Sequence, residues 1–256
     1  MMYTVLIAAL AVSLVDTVKT GDRAAAMTLI AQRADVNAPE VDGTTPLHWA
    51  VHRGDLELAQ RLIRAGAKVN VKNEFGSTPM AEAAILGRAD LLETLLKAGA
   101  DVESPNADGQ TALMVVARTG RVDAARLLLK YGAKVNAVER WRGQTALMWA
   151  IAQKQPAMVA ELVKAGADVN ARSTVNNWDR QVTAEPRAIY RPAGGLTPLL
   201  YASREGCVEC ARLLVEAGAD LSLADPENIS PLLMAILNGR FDTASFLIKK
   251  LSLIHI

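Results

Sequence analysis

The sequence predicts an all-α solenoid built from about seven short helix-turn-helix units. Three observations predict it. First, one block recurs at a nearly fixed offset. Thr45-Pro46-Leu47-His48 returns as Thr78-Pro79-Met80, Thr111-Ala112-Leu113, Thr145-Ala146-Leu147, Thr197-Pro198-Leu199 and Ser230-Pro231-Leu232, at steps of 33, 33, 34, 52 and 33 residues. A period near 33 marks stacked supersecondary units in place of one globular core. Second, an apolar stripe at i, i+1, i+4, i+5 recurs in each unit, and a lone helix pair has nothing to bury it against. Third, aromatics make up 4% of the 256 residues, so Ala, Leu and Val fill a thin core.

Each element follows from local chemistry, with Thr45 to Asn70 as the template. Thr45 offers a side-chain oxygen to free amides at a helix start, and Pro46 suits the first turn. This helix is expected to run to about Arg53, with Gly54 as its breaker. A second helix starts near Asp55, whose charge favours a positive helix N-terminus. It ends at Gly66, which adopts a left-handed conformation at least cost. Its stripe is Leu58, Ala59, Leu62, Ile63. The later copies are Leu91, Leu92, Leu95, Leu96; Ala124, Ala125, Leu128, Leu129; Met158, Val159, Leu162, Val163; and Cys210, Ala211, Leu214, Val215.

The run Asp42-Gly43-Thr44-Thr45-Pro46-Leu47-His48-Trp49-Ala50, followed by Ala65-Gly66-Ala67-Lys68-Val69-Asn70, resembles the ankyrin repeat. The resemblance covers residues 13–250. It implies β-hairpin-like loops projecting sideways, a concave face made by the first helices, and partner binding as the use of both. The units fall near 13–42, 43–75, 76–108, 109–142, 143–172, 195–227 and 228–250, with an inserted loop at 173–194. The first unit lacks the Thr-Pro-Leu-His block and is expected to open near Ser13. It keeps Gly21-Asp22 and Ala34-Asp35-Val36-Asn37, but carries Arg33 where the family has Gly. In the fifth unit Lys154 replaces the mid-repeat Gly and Pro156 starts the second helix.

The termini carry two further expectations. Residues 1–12 read as an export signal, with Val5 to Val15 as its apolar run and Ala9-Leu10-Ala11 as a cleavage site, or as a helix capping the stack. A periplasmic or secreted location is favoured over a cytoplasmic one. The apolar run is too short for a membrane-spanning helix, which needs about 20 residues. At the other end, Leu251-Ser252-Leu253-Ile254-His255-Ile256 replaces the expected Gly-Ala-Asp and reads as a translated sequencing adapter, so the native chain is expected to continue past Lys250. A formal net charge of +1 gives no electrostatic case for nucleic acid.

Candidate chemistry is sparse, and no cofactor, metal or catalytic residue is expected. Cys207-Val208-Glu209-Cys210 is a C-x-x-C at a helix start, where a redox or metal role is the alternative reading. No second pair completes a zinc site, and Cys210 falls on the apolar stripe. In an exported protein a local disulfide between the two cysteines is a further alternative. His48 and His52 stand i, i+4, but no third ligand accompanies them.

Contact residues are more evident. The insertion holds Trp178, Arg180, Arg187 and Tyr190, and Trp, Tyr and Arg dominate interface hot spots. From Ala171-Arg172-Ser173 to Gly194-Gly195-Leu196 it resembles a bacterial ankyrin subgroup of undefined role. Arg140-Trp141-Arg142 lies in a loop one residue longer than its peers, and Phe75 sits at an equivalent tip. His52, Arg53, Arg118, Tyr201 and Arg204 are expected on the concave side, and Trp49 and Trp149 in the packing between repeats. The leading expectation is a monomeric, non-catalytic scaffold for an unidentified protein partner, with a recruiting module of a larger protein as a further alternative.

Overall fold

The computed structural model describes residues 13–176 and 194–254. The expected leader at 1–12, the contact residues Trp178, Arg180, Arg187 and Tyr190, and His255 lie outside the described residues. The chain forms two compact units, Met1–Ala100 and Asp101–Ile256.

In the first unit, α1 (Leu14–Thr20), α3 (Pro46–His52) and α5 (Pro79–Leu86) pack side by side in one layer. Behind them lie α2 (Arg23–Ala31), α4 (Leu56–Arg64) and α6 (Ala89–Lys97). The second unit repeats the plan with four pairs. Its first helices are α7 (Ala112–Thr119), α9 (Ala146–Ala152), α11 (Pro198–Glu205) and α13 (Pro231–Leu237). Its second helices are α8 (Val122–Lys130), α10 (Pro156–Lys164), α12 (Val208–Glu216) and α14 (Phe241–Ile254).

Every first helix starts on Ser or Thr. Ser13, Thr78, Thr111, Thr145, Thr197 and Ser230 each accept a hydrogen bond from the third helical amide. Thr45 instead forms a reciprocal box with His48. The His48 Nδ1 accepts from the Thr45 N–H at 3.2 Å, and its Nε2 lies 3.2 Å from the Ser77 carbonyl. Ser13 caps α1, and Arg33 takes the left-handed turn at φ 63° where later units use glycine.

The second-helix stripes form the core together with first-helix residues such as Leu47, Met80, Leu113 and Leu147. Leu91, Leu92 and Leu95 are fully buried, and each such side chain contributes about 1.5–3 kcal/mol relative to exposure. One expectation is corrected: the fourth member is only half-buried at Ile63, Leu129, Val163 and Val215, and Leu96 alone is buried. The buried arc spans about 100° of the helix, and the fourth residue falls on its rim.

The loops turn back without forming strands. Among the described residues the only β-type pairing outside helices is the single bridge between Val175 and Gly194. Neighbouring loop tips are stitched by backbone bonds. Glu74 N–H donates to Asp42 O (2.8 Å), Arg140 N–H to Asp108 O (3.1 Å) and Thr174 N–H to Arg142 O (2.7 Å). Asn side chains add a second stitch. Asn37 Nδ2 donates to Gly66 O and Asn136 Nδ2 to Gly166 O, both at 3.1 Å, while their Oδ1 atoms accept the Lys68 and Asp168 amides at 2.8 Å. Among the described residues no helix is long and apolar enough to cross a membrane.

Candidate functional site

Two repeat positions on the first helices, four and seven residues after the capping Thr, face the loops. In the second unit they carry Arg118 on α7, Trp149 and Ala152 on α9, and Tyr201 and Arg204 on α11. With the tip residues Gln110, Glu139, Trp141, Arg142 and Gln144 they line a groove of about 540 Å³. That volume lies within the range of ordinary ligand pockets.

The groove is organised by cation–aromatic pairs. The Arg118 guanidinium sits 5.2 Å from the Trp149 ring centre, and that of Arg204 sits 4.8 Å from the Tyr201 ring. Arg204 Nε also donates to Glu205 at 2.9 Å. Tyr201 is buried, and its hydroxyl accepts from Gln144 Nε2 at 2.6 Å, so only part of it forms the groove floor. Trp149 differs from the sequence expectation: it is half-buried on the groove wall, not in the core. Its Nε1–H is buried with no acceptor among the described residues.

Trp141 stands at the rim, 73% exposed, with its Nε1–H donating to Asp108 at 3.0 Å. Its loop is held by Glu139, a carboxylate only 4% exposed. Glu139 accepts three backbone amides, from Trp141 (2.6 Å), Arg142 (2.8 Å) and Gln144 (3.1 Å). In shorter loops Asn73, Asn106 and Asp225 do this work with two amides each. The extra residue widens the turn, and the longer Glu side chain spans it. Glu139 was missed at the sequence level; the signal was an acid with one more methylene in the loop with one more residue.

The first unit holds a smaller hollow of about 210 Å³, lined by Trp49, His52, Phe75 and Glu82 among others. Phe75 is 70% exposed there. Trp49 is half-buried, as Trp149 is, but its indole N–H donates to Glu40 at 2.8 Å, and His52 Nδ1 lies 3.0 Å from Glu82. Arg53 lies outside both sites and ties repeats together, donating to Lys19 O at 3.1 Å. Arg140 is exposed and packs against Gly109 in the neighbouring tip.

Both ring nitrogens of His48 are engaged, and burial pushes its imidazole below the usual 6.5. Among the described residues no three His, Cys, Asp or Glu gather into a metal site. Cys207 and Cys210 are both buried and joined by a disulfide, and Cys207 Sγ accepts the Cys210 amide as the cap of α12. The insertion begins beside Arg142, where Thr174 N–H donates to Arg142 O. Its root is closed by Ser173 N–H to Leu196 O and Gly195 N–H to Thr174 O, both 3.0 Å, and by Arg172 donating to Gly195 O and Ala224 O, both 2.9 Å.

Comparison with known proteins agrees with this architecture. The family model described as ankyrin repeats (3 copies) matches residues 14–106, 98–173 and 180–255. The human ASB11 ankyrin repeat domain is similar at 25% identity and TM-score 0.70, over 87% of this chain and 90% of that one. The ankyrin repeat domain of Bcl-3, described as a unique member of the IkappaB protein family, is 29% identical at TM-score 0.71, over 87% and 92% of the two chains. With the repeat period, the helix pairs and the matched residues in agreement, the chain belongs to the ankyrin repeat family.

Proposed function

We propose that this chain is a non-catalytic protein-binding scaffold whose partner seats on the groove of the second unit and the Arg140-Trp141-Arg142 tip. The observation that carries the reading is the groove itself. It brings Arg118, Trp141, Arg142 and Arg204 around the Trp149 and Tyr201 rings. Aromatic and Arg side chains at the centre of a rigid surface are the usual source of binding energy, and a preformed scaffold lowers the ordering cost. Trp178, Arg180, Arg187 and Tyr190 join the proposed contact set because their segment departs next to Arg142. The Phe75 and His52 hollow is a second, smaller contact point. The Cys207–Cys210 disulfide supports an oxidising, exported location. A fusion of residues 1–20 to a secretion reporter tests that, and a reporter retained in the cytoplasm would count against it.

The test of the scaffold reading is quantitative. Affinity capture from the source organism supplies the partner, and titration calorimetry compares wild type with Trp141→Ala and Phe75→Ala, each checked for helix content. Trp141→Ala is expected to weaken binding by about 2 kcal/mol or more. Unchanged affinity in that variant removes the groove from the interface.

A further inference from the structure

We infer that the groove of the second unit receives an acidic peptide segment, with a Glu or Asp carboxylate entering between Arg118, Arg142 and Arg204. This deepens the scaffold reading and rests on it. The lining holds three guanidinium groups and a single carboxylate, that of Glu139. That carboxylate is buried and committed to three backbone amides, so it does not answer the arginines. Among the described residues only Glu205 forms an ion pair with any of the three, and it pairs with Arg204.

The aromatic walls decide the sign of the ligand. An aromatic cage attracts a cation through free ring faces. Here the Trp149 and Tyr201 rings already carry Arg118 and Arg204. A cationic ligand would meet like charge at both places, whereas a carboxylate meets guanidinium groups with paired donors that match its two oxygens. The Trp149 Nε1–H has no acceptor among the described residues but is buried, so the three guanidinium groups carry the recognition.

Fluorescence polarisation with the full chain tests this, using labelled hexaglutamate, hexaglutamine, hexalysine and hexathymidylate. Hexaglutamate is expected to bind about tenfold or more tighter than each of the others, and to weaken as salt is raised. Arg118→Gln combined with Arg142→Gln should remove that preference. Equal binding of hexaglutamine overturns the proposal, as does a hexathymidylate that binds as tightly, or no measurable binding of any probe. The two readings separate cleanly. A natural partner that depends on Trp141 while hexaglutamate fails leaves the scaffold intact and sinks the acidic chemistry. A partner indifferent to Trp141 sinks the scaffold site as well.

Discussion

Replacing Glu139 by Ala strips three backbone amides of their common acceptor. The bonds run 2.6, 2.8 and 3.1 Å to a carboxylate that is 4% exposed. A hydrogen bond to a charged group contributes about 1.5–3 kcal/mol. Trp141 and Arg142 are exposed residues, so water can replace two of the lost bonds at reduced cost. Gln144 is half-buried, and its amide recovers less. A net loss of about 2–4 kcal/mol follows, dominated by the amides left without a partner. Urea denaturation followed by circular dichroism reads the loss, and amide hydrogen exchange locates it at Trp141, Arg142 and Gln144. Glu139→Gln is the finer probe: one side-chain atom still accepts, while the other becomes a donor facing a donor. Should Glu139→Ala change stability by less than about 0.5 kcal/mol, with protection at the three amides unaltered, the account of this loop is wrong.

Three other outcomes are expected. Leu95→Ala should cost about 2–5 kcal/mol in the same denaturation assay, because Leu95 is wholly buried; a loss under about 1 kcal/mol would contradict the stripe register. Arg33→Gly should stabilise the first unit by about 1 kcal/mol, since a left-handed φ of 63° strains any residue with a Cβ and Arg33 is exposed. An unchanged or lower melting temperature would refute that. His48 gives the pH dependence. Its folded imidazole is held below 6.5 by burial, so the unfolded chain takes up the proton first as pH falls. Its contribution is present above about pH 6.5 and is lost progressively below it, and His48→Gln should flatten the urea midpoint between about pH 7 and pH 5. A wild-type midpoint already flat over that range would show that His48 titrates alike in both states.

The helices, their starts and most of their ends were legible because each depends on a few adjacent residues. Thr45 and Pro46 meet backbone requirements within one turn, and the glycine period reports where the chain reverses. The position of Trp149 was not legible. A large apolar residue four places after the cap suits either the core or a groove wall, and Arg118 and the tip loops, distant in sequence, decide between them. The work of Glu139 was hidden for the same reason: an exposed-looking acid becomes a buried clamp only once its loop closes. Tyr201 was expected on the concave side; it lines the groove, and the bond its hydroxyl accepts from Gln144, distant in sequence, was not legible.

The Asn170 stitch has a consequence for how such a protein can change over generations. Asn170 Oδ1 accepts the Asp220 amide at 2.9 Å and its Nδ2 reaches Gly218 O at 3.4 Å, across sequence separations of 50 and 48 residues. Asn136 makes the same two contacts across separations of 32 and 30. The join between these repeats is therefore indifferent to the length of chain that lies between them. Closing a longer flexible loop costs little, about 0.6 kcal/mol per doubling. Selection, or an engineer, can therefore change the length of chain between Asn176 and Gly194 while the two Asn170 hydrogen bonds stay as they are.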